Sequence, residues 1–79
     1  MFDLYYSETC PYCRKVLSFL EENNIDFNHK NITDPKNYDK LMEIGKMAQV
    51  PFLADTESGE VMYESDVIID YIRKKKNLA

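Results

Sequence analysis

Cys10 and Cys13 are the only two cysteines of the chain, and both lie in the stretch Thr9-Cys10-Pro11-Tyr12-Cys13. Thiols at this spacing can close a disulfide across the first turn of a helix, and beside a strand–helix–strand pattern that arrangement is a redox motif. A bridge over so short a loop removes little chain entropy, so its use lies in being made and broken rather than in stapling a fold. The same spacing supplies half of a tetrahedral zinc site. The other half is missing, because His29 is the sole histidine and falls in a strand pattern, where it reads as a packed or solvent-facing residue. No metal is expected.

The elements that must hold this stretch follow from hydrophobic periodicity. Phe2 to Tyr6 alternates Phe2, Leu4 and Tyr6 with Asp3 and Tyr5, a strand pattern. Cys10 stands at a helix start, with Pro11 at the favoured first helical position, and Cys13, Val16, Leu17, Phe19 and Leu20 form an apolar face that ends at Asn23-Asn24. Ile25 to Ile32 alternates again and gives a second strand, parallel to the first through a right-handed crossover. Asp34 caps a second helix, Pro35 occupies its first turn, Tyr38, Leu41 and Met42 supply its inward stripe, and Gly45 stops it.

Val50 to Ala54 reads as a strand entered through Pro51, and the polar segment Asp55 to Glu60 turns it back into Val61-Met62-Tyr63. Glu64-Ser65-Asp66 caps a last helix with Val67, Ile68, Ile69, Tyr71 and Ile72 on its apolar face. Arg73 to Lys76 form a solvated end that complements its dipole. The order β-α-β-α-β-β-α describes an α/β protein: a four-stranded mixed sheet flanked by three helices, on a thioredoxin-like plan, in a single domain over residues 1–79.

A chain of 79 residues is too short for two domains, and a hydrophobic content of 44% with only two glycines excludes a disordered tail. No long apolar run or basic leader points to a membrane or to export. A net charge of −4 disfavours a phosphate backbone as partner. Two adjacent cysteines, in place of several separated ones, suit a reducing, cytoplasmic setting.

With Cys10-Pro11-Tyr12-Cys13, Gln49-Val50-Pro51 and Glu64-Ser65-Asp66 in place, the sequence closely resembles a dithiol glutaredoxin, with features also of the N-terminal domain of glutathione transferases, over essentially its whole length. The resemblance implies a cis Val50-Pro51 bond facing the active-site turn, with the backbone of Val50 pairing with the cysteinyl part of glutathione. It assigns Ser65 and Asp66 to the γ-glutamyl group, with Glu64-Ser65 matching the transferase pair. A helix start suits this, since free N–H groups and the positive dipole end attract a carboxylate and an acidic side chain holds an ammonium. Two positions depart from the glutaredoxin pattern: Ser7 stands where many members carry a lysine, and Gln49 replaces a threonine. Lys46 is the remaining candidate for the glycyl carboxylate.

For activity, the resemblance implies reduction of protein–glutathione mixed disulfides and other disulfides, with glutathione as cosubstrate. Cys10 is the nucleophile, since a helix N-terminus favours thiolate over thiol, with Arg14 and Lys15 able to add to the effect. Cys13, one turn deeper, is the resolving thiol, and Thr9, Pro11 and Tyr12 shape the turn. The expected partners are glutathione and disulfide-bearing or glutathionylated protein clients, with no nucleic acid and no membrane, and the protein acts as a monomer. Two alternatives stand beside this: a transferase-like glutathione-binding module, and an iron–sulfur cluster bridged by two chains. The first is disfavoured because a transferase needs a helical second domain and the sequence ends after the last helix of the first.

Overall fold

The computed structural model describes residues 1–78; Ala79, the last residue of the expected domain, lies outside them. Four strands and three helices follow one another as β1 (Phe2–Tyr6), α1 (Pro11–Glu22), β2 (Phe27–Asn31), α2 (Pro35–Gly45), β3 (Phe52–Asp55), β4 (Val61–Tyr63) and α3 (Ser65–Lys75). The sheet order is β2-β1-β3-β4, with β1 parallel to β2 and antiparallel to β3, and β3 antiparallel to β4. This is the thioredoxin-like plan read from the sequence.

β1 and β3 are central because both of their faces are covered. Phe2, Leu4, Tyr6 and Leu53 pack against Cys13, Val16, Phe19 and Leu20 of α1 and Ile68 and Ile72 of α3. On the other face Tyr5, Phe52 and Ala54 pack against Leu41 of α2. Each fully buried aliphatic side chain contributes roughly 1.5–3 kcal/mol relative to exposure. Tyr5 was expected among the polar positions of β1, yet it is as buried as its neighbours because α2 covers the second face.

The helix starts follow their local chemistry. Asp34 caps α2, its Oδ1 accepting the Lys36 N–H at 3.0 Å, and proline opens both α1 and α2. Several boundaries differ from those expected. β2 is confined to Phe27–Asn31, since only these residues pair with β1, and β3 begins two residues after Val50. Tyr38 and Met42 are exposed, leaving Leu41 as the one buried residue of α2, and Val67 faces solvent on α3.

Gly45 does not stop α2. It is the last helical residue, and Lys46 makes the left-handed turn at φ 65°. The glycine is required for space: a Cβ there would collide with the Tyr63 hydroxyl and sit 3.1 Å from the Phe52 ring. Tyr63 in turn donates from its hydroxyl to the Met47 carbonyl at 3.0 Å, which fixes the loop that leads to Val50-Pro51.

Candidate functional site

Cys10 is the N-cap of α1. Its backbone is extended (φ −89°, ψ 118°), and its sulfur accepts the Cys13 N–H at 3.4 Å, satisfying one of the amides that a helix start leaves unpaired. The Cys10 thiol also points at the Val50 carbonyl, 3.9 Å away, so the helix start and the Val50-Pro51 turn face each other. The Val50-Pro51 bond is cis, as the resemblance implied. Both cysteines are free thiols, Cys10 partly exposed and Cys13 fully buried. Burial pushes the Cys13 thiol up to about 12; the hydrogen bond and charge of Cys10 add to this, and the Ser7 backbone opposes it.

Around the cysteines the sequence-derived residues converge. Tyr12, Gln49, Val50, Pro51, Glu64, Ser65 and Asp66 line one groove of about 300 Å³. Thr9 lies apart from it, its hydroxyl 3.1 Å from that of Ser7, and Pro11 is the exposed first residue of α1. Neither Lys46 nor Ser7 contributes to the groove wall.

The start of α3 was expected to be capped by Glu64, Ser65 and Asp66, but no side chain makes a capping bond there. Glu64 instead has φ 72° and ψ 129°, a conformation that a non-glycine residue adopts at a cost of roughly 1–3 kcal/mol. The first helical hydrogen bond runs from the Ile68 N–H to the Glu64 carbonyl at 3.0 Å. The amides of Ser65, Asp66 and Val67 therefore have no acceptor within the helix, and Ser65 and Asp66 belong to the groove wall.

Lys15 does not curl toward the Cys10 sulfur; its ammonium pairs with Asp66, tying α1 to the start of α3. Arg14 borders a separate small hollow with Leu17, Ser18 and Glu21. Among the described residues no group of three or more His, Cys, Asp or Glu side chains is placed to hold a metal ion.

At the far end of the sheet lies a polar cluster that the sequence pattern did not reveal. Asp55 was expected in the exposed connection, but it ends β3 and is buried. Its carboxylate accepts from the Tyr71 hydroxyl at 2.6 Å and the Glu57 N–H at 3.0 Å, and pairs with Lys75 at 3.5 Å. Burial alone would raise its carboxyl; the Tyr71, Glu57 and Lys75 contacts outweigh that and hold it at about 2. Tyr71 is pushed up to about 12, chiefly because its hydroxyl donates to Asp55. The basic end of α3 is thus more than a solvated cap: Lys75 meets Asp55, Lys74 pairs with Asp70 at 3.1 Å, and Arg73 lies over the Phe19 ring at 5.0 Å.

Residues 4–79 match the glutathione S-transferase N-terminal domain family. The chain belongs to that family. Among curated relatives, this transferase-type domain is 37% identical over 78 residues, 95% of its length, to the global transcriptional regulator Spx 1 of Oceanobacillus iheyensis, and it spans 59% of that regulator. It is 33% identical over 54 residues, 67% of its length, to an uncharacterized glutaredoxin-like 8.6 kDa protein in the rubredoxin operon of Clostridium pasteurianum, covering 72% of it. Among solved structures, a Methylobacillus flagellatus glutathione S-transferase with glutathione bound superposes with a TM-score of 0.70 at 32% identity, covering 90% of the transferase-type domain and 35% of that chain.

Proposed function

We propose that the protein is a glutathione-dependent thiol–disulfide oxidoreductase with Cys10 as nucleophile. The observation that carries this reading is the position of the Cys10 sulfur, 3.9 Å from the carbonyl of Val50, a residue that lines one groove together with Tyr12, Gln49, Pro51, Glu64, Ser65 and Asp66. The glutathione-bound transferase and the glutaredoxin-like relative support it.

In the proposed reaction the Cys10 thiolate attacks the glutathionyl sulfur of a mixed disulfide. The new bond joins Cys10 to glutathione, the old S–S bond breaks, and the client sulfur leaves as a thiolate that takes up a proton. A second glutathione thiolate then attacks the glutathionyl sulfur, producing oxidised glutathione and returning Cys10. Cys13 offers an internal route: its thiolate attacks Cys10, forming the Cys10–Cys13 disulfide and releasing glutathione, and two further glutathiones restore the dithiol. Burial keeps Cys13 protonated near neutral pH, so the external route dominates. Within the groove the Val50 backbone aligns the cysteinyl part, and Ser65 and Asp66 take the γ-glutamyl head. We place the protein in the cytoplasm as a monomer acting on glutathionylated or disulfide-bearing proteins.

The test is turnover of a mixed disulfide between glutathione and a small thiol, coupled to glutathione reductase. Wild type should turn over and Cys10→Ser should not; equal rates for the two would sink the reading. A second reading, a regulatory module without turnover, draws on the 37% identity to the Spx 1 regulator across nearly the whole chain. It predicts no rate above the Cys10→Ser background at saturating glutathione.

A further inference from the structure

Asp66 belongs to two walls. On one side it closes the groove beside Glu64 and Ser65; on the other it borders a hollow of about 560 Å³ between α1 and α3, with Lys15, Phe19, Glu22, Asp70 and Arg73. Lys15, on the helix that Cys10 begins, sits in that hollow with its Nζ 2.5 Å from the Asp66 Oδ1. The carboxylate best placed to take a ligand's ammonium is thus already held by a cation of the protein. Both side chains are more than half exposed, at 53% and 83%, so opening the pair is cheap.

We propose that Lys15 is a specificity-determining residue, which gives up Asp66 to the α-ammonium of the incoming γ-glutamyl head and takes the head's α-carboxylate in exchange. The inference rests on the glutathione reading above and names the residue that selects among related heads. A ligand bearing only an ammonium must displace Lys15 and leaves two cations around one carboxylate. A ligand bearing only a carboxylate can use the free amides at the start of α3, but it brings no ammonium to Asp66 and meets the Asp66 and Glu64 carboxylates on the same wall. A zwitterion, with both charges on one carbon, replaces the ion pair charge for charge. Lys15 touches neither thiol, so its effect falls on binding rather than on the exchange step.

The experiment measures binding of three S-methylated tripeptides by calorimetry at low salt: the glutathione form, the γ-aminobutyryl form lacking the α-carboxylate, and the glutaryl form lacking the α-ammonium. Wild type should prefer the first to both others. In Lys15→Met the preference for the glutathione form over the γ-aminobutyryl form should fall at least about threefold, the scale of one exposed ion pair, and Lys15→Arg should restore it. An unchanged ratio in Lys15→Met, with both peptides still bound, would overturn the role of Lys15 while leaving the glutathione reading intact. Failure of wild type to bind any of the three would overturn the glutathione reading and the role of Lys15 together.

Discussion

The Cys10 sulfur accepts the Cys13 backbone N–H at 3.4 Å, so the accessible thiol leans on the amide of the residue whose own thiol is shut away. One turn of helix gives two sulfurs of the same chemical type opposite surroundings. The first, partly exposed, touches the Val50 carbonyl and a backbone amide at the edge of the apolar layer; the second is enclosed within that layer between the sheet, α1 and α3.

That asymmetry should appear as selective alkylation. With its thiol pushed from the usual 9.0 to about 12, Cys13 has roughly a thousandfold less thiolate near pH 8 than an unperturbed cysteine. Iodoacetamide should therefore add one equivalent, at Cys10, before any Cys13 adduct accumulates. Peptide mapping by mass spectrometry reads this directly, and comparable labelling of both cysteines would contradict the burial argument.

Cys13→Ser should keep at least half of the wild-type turnover with glutathione as reductant, because the external route bypasses the second thiol. Steady-state rates in the coupled assay decide it. A loss as complete as that of Cys10→Ser would make the internal disulfide obligatory.

Gly45→Ala should destabilise the protein by about 1–3 kcal/mol, the usual cost of overpacking, since the new methyl meets the Tyr63 hydroxyl and the Phe52 ring. Tyr63→Phe alone loses the bond to the Met47 carbonyl, at about 0.5–1.5 kcal/mol. Removing the hydroxyl also relieves the collision, so the double variant should be more stable than the sum of the two changes implies. Urea denaturation of all four proteins tests the coupling, and strict additivity would count against the contact.

Asp55 should make stability acid-sensitive in a defined window. Its carboxyl titrates at about 2 in the fold and near ~3.9 in the unfolded chain, so the unfolded chain binds its proton first as pH falls. The resulting contribution, about 2 kcal/mol, is complete above the unfolded value and drains away as pH falls from 4 toward 2. Tyr71 works in the opposite sense: its raised hydroxyl favours the fold below pH 10, and that contribution fades as pH climbs toward 12. Urea midpoints between pH 2 and 7 should fall less steeply for Asp55→Asn than for wild type.

Glu64→Gly should raise thermal stability, since glycine tolerates φ 72° and the relief exceeds the entropy that glycine adds to the unfolded chain. A net gain of about 1 kcal/mol corresponds to a Tm increase of about 4–8 °C in a domain of this size. Glu64→Ala retains the backbone penalty and serves as control. If it gains as much as Glu64→Gly, charge rather than backbone conformation is responsible.

The parts of the structure legible in the sequence are those set by near neighbours. The alternation of Phe2, Leu4 and Tyr6, the starts at Cys10-Pro11 and Asp34-Pro35, and the end of α1 at Asn23 all depend on residues a few positions apart, and they stand where periodicity and capping rules put them. The groove residues were legible through Gln49-Val50-Pro51 and Glu64-Ser65-Asp66, because those short motifs carry the resemblance to a known family, and they share one wall. What escaped depends on partners far along the chain. Asp55 read as loop because Tyr71 and Lys75, which make its burial tolerable, come 16 and 20 positions later. Gly45 read as a stop signal by local rules, whereas its necessity comes from Tyr63. The contact between Lys15 and Asp66 spans 51 positions and leaves no periodic trace.

The two ends of α3 differ in how they are held. Its last turn is anchored by a buried carboxylate shielded from ions, whereas its first turn is tied to α1 by the exposed Lys15–Asp66 pair, which mobile ions can reach. With a Debye length of about 8 Å at physiological ionic strength and about 3 Å at 1 M, added salt weakens the exposed tie well before the buried one. Ionic strength thus becomes a graded control on the groove-facing end of the helix, acting at concentrations that leave the opposite end of the protein undisturbed.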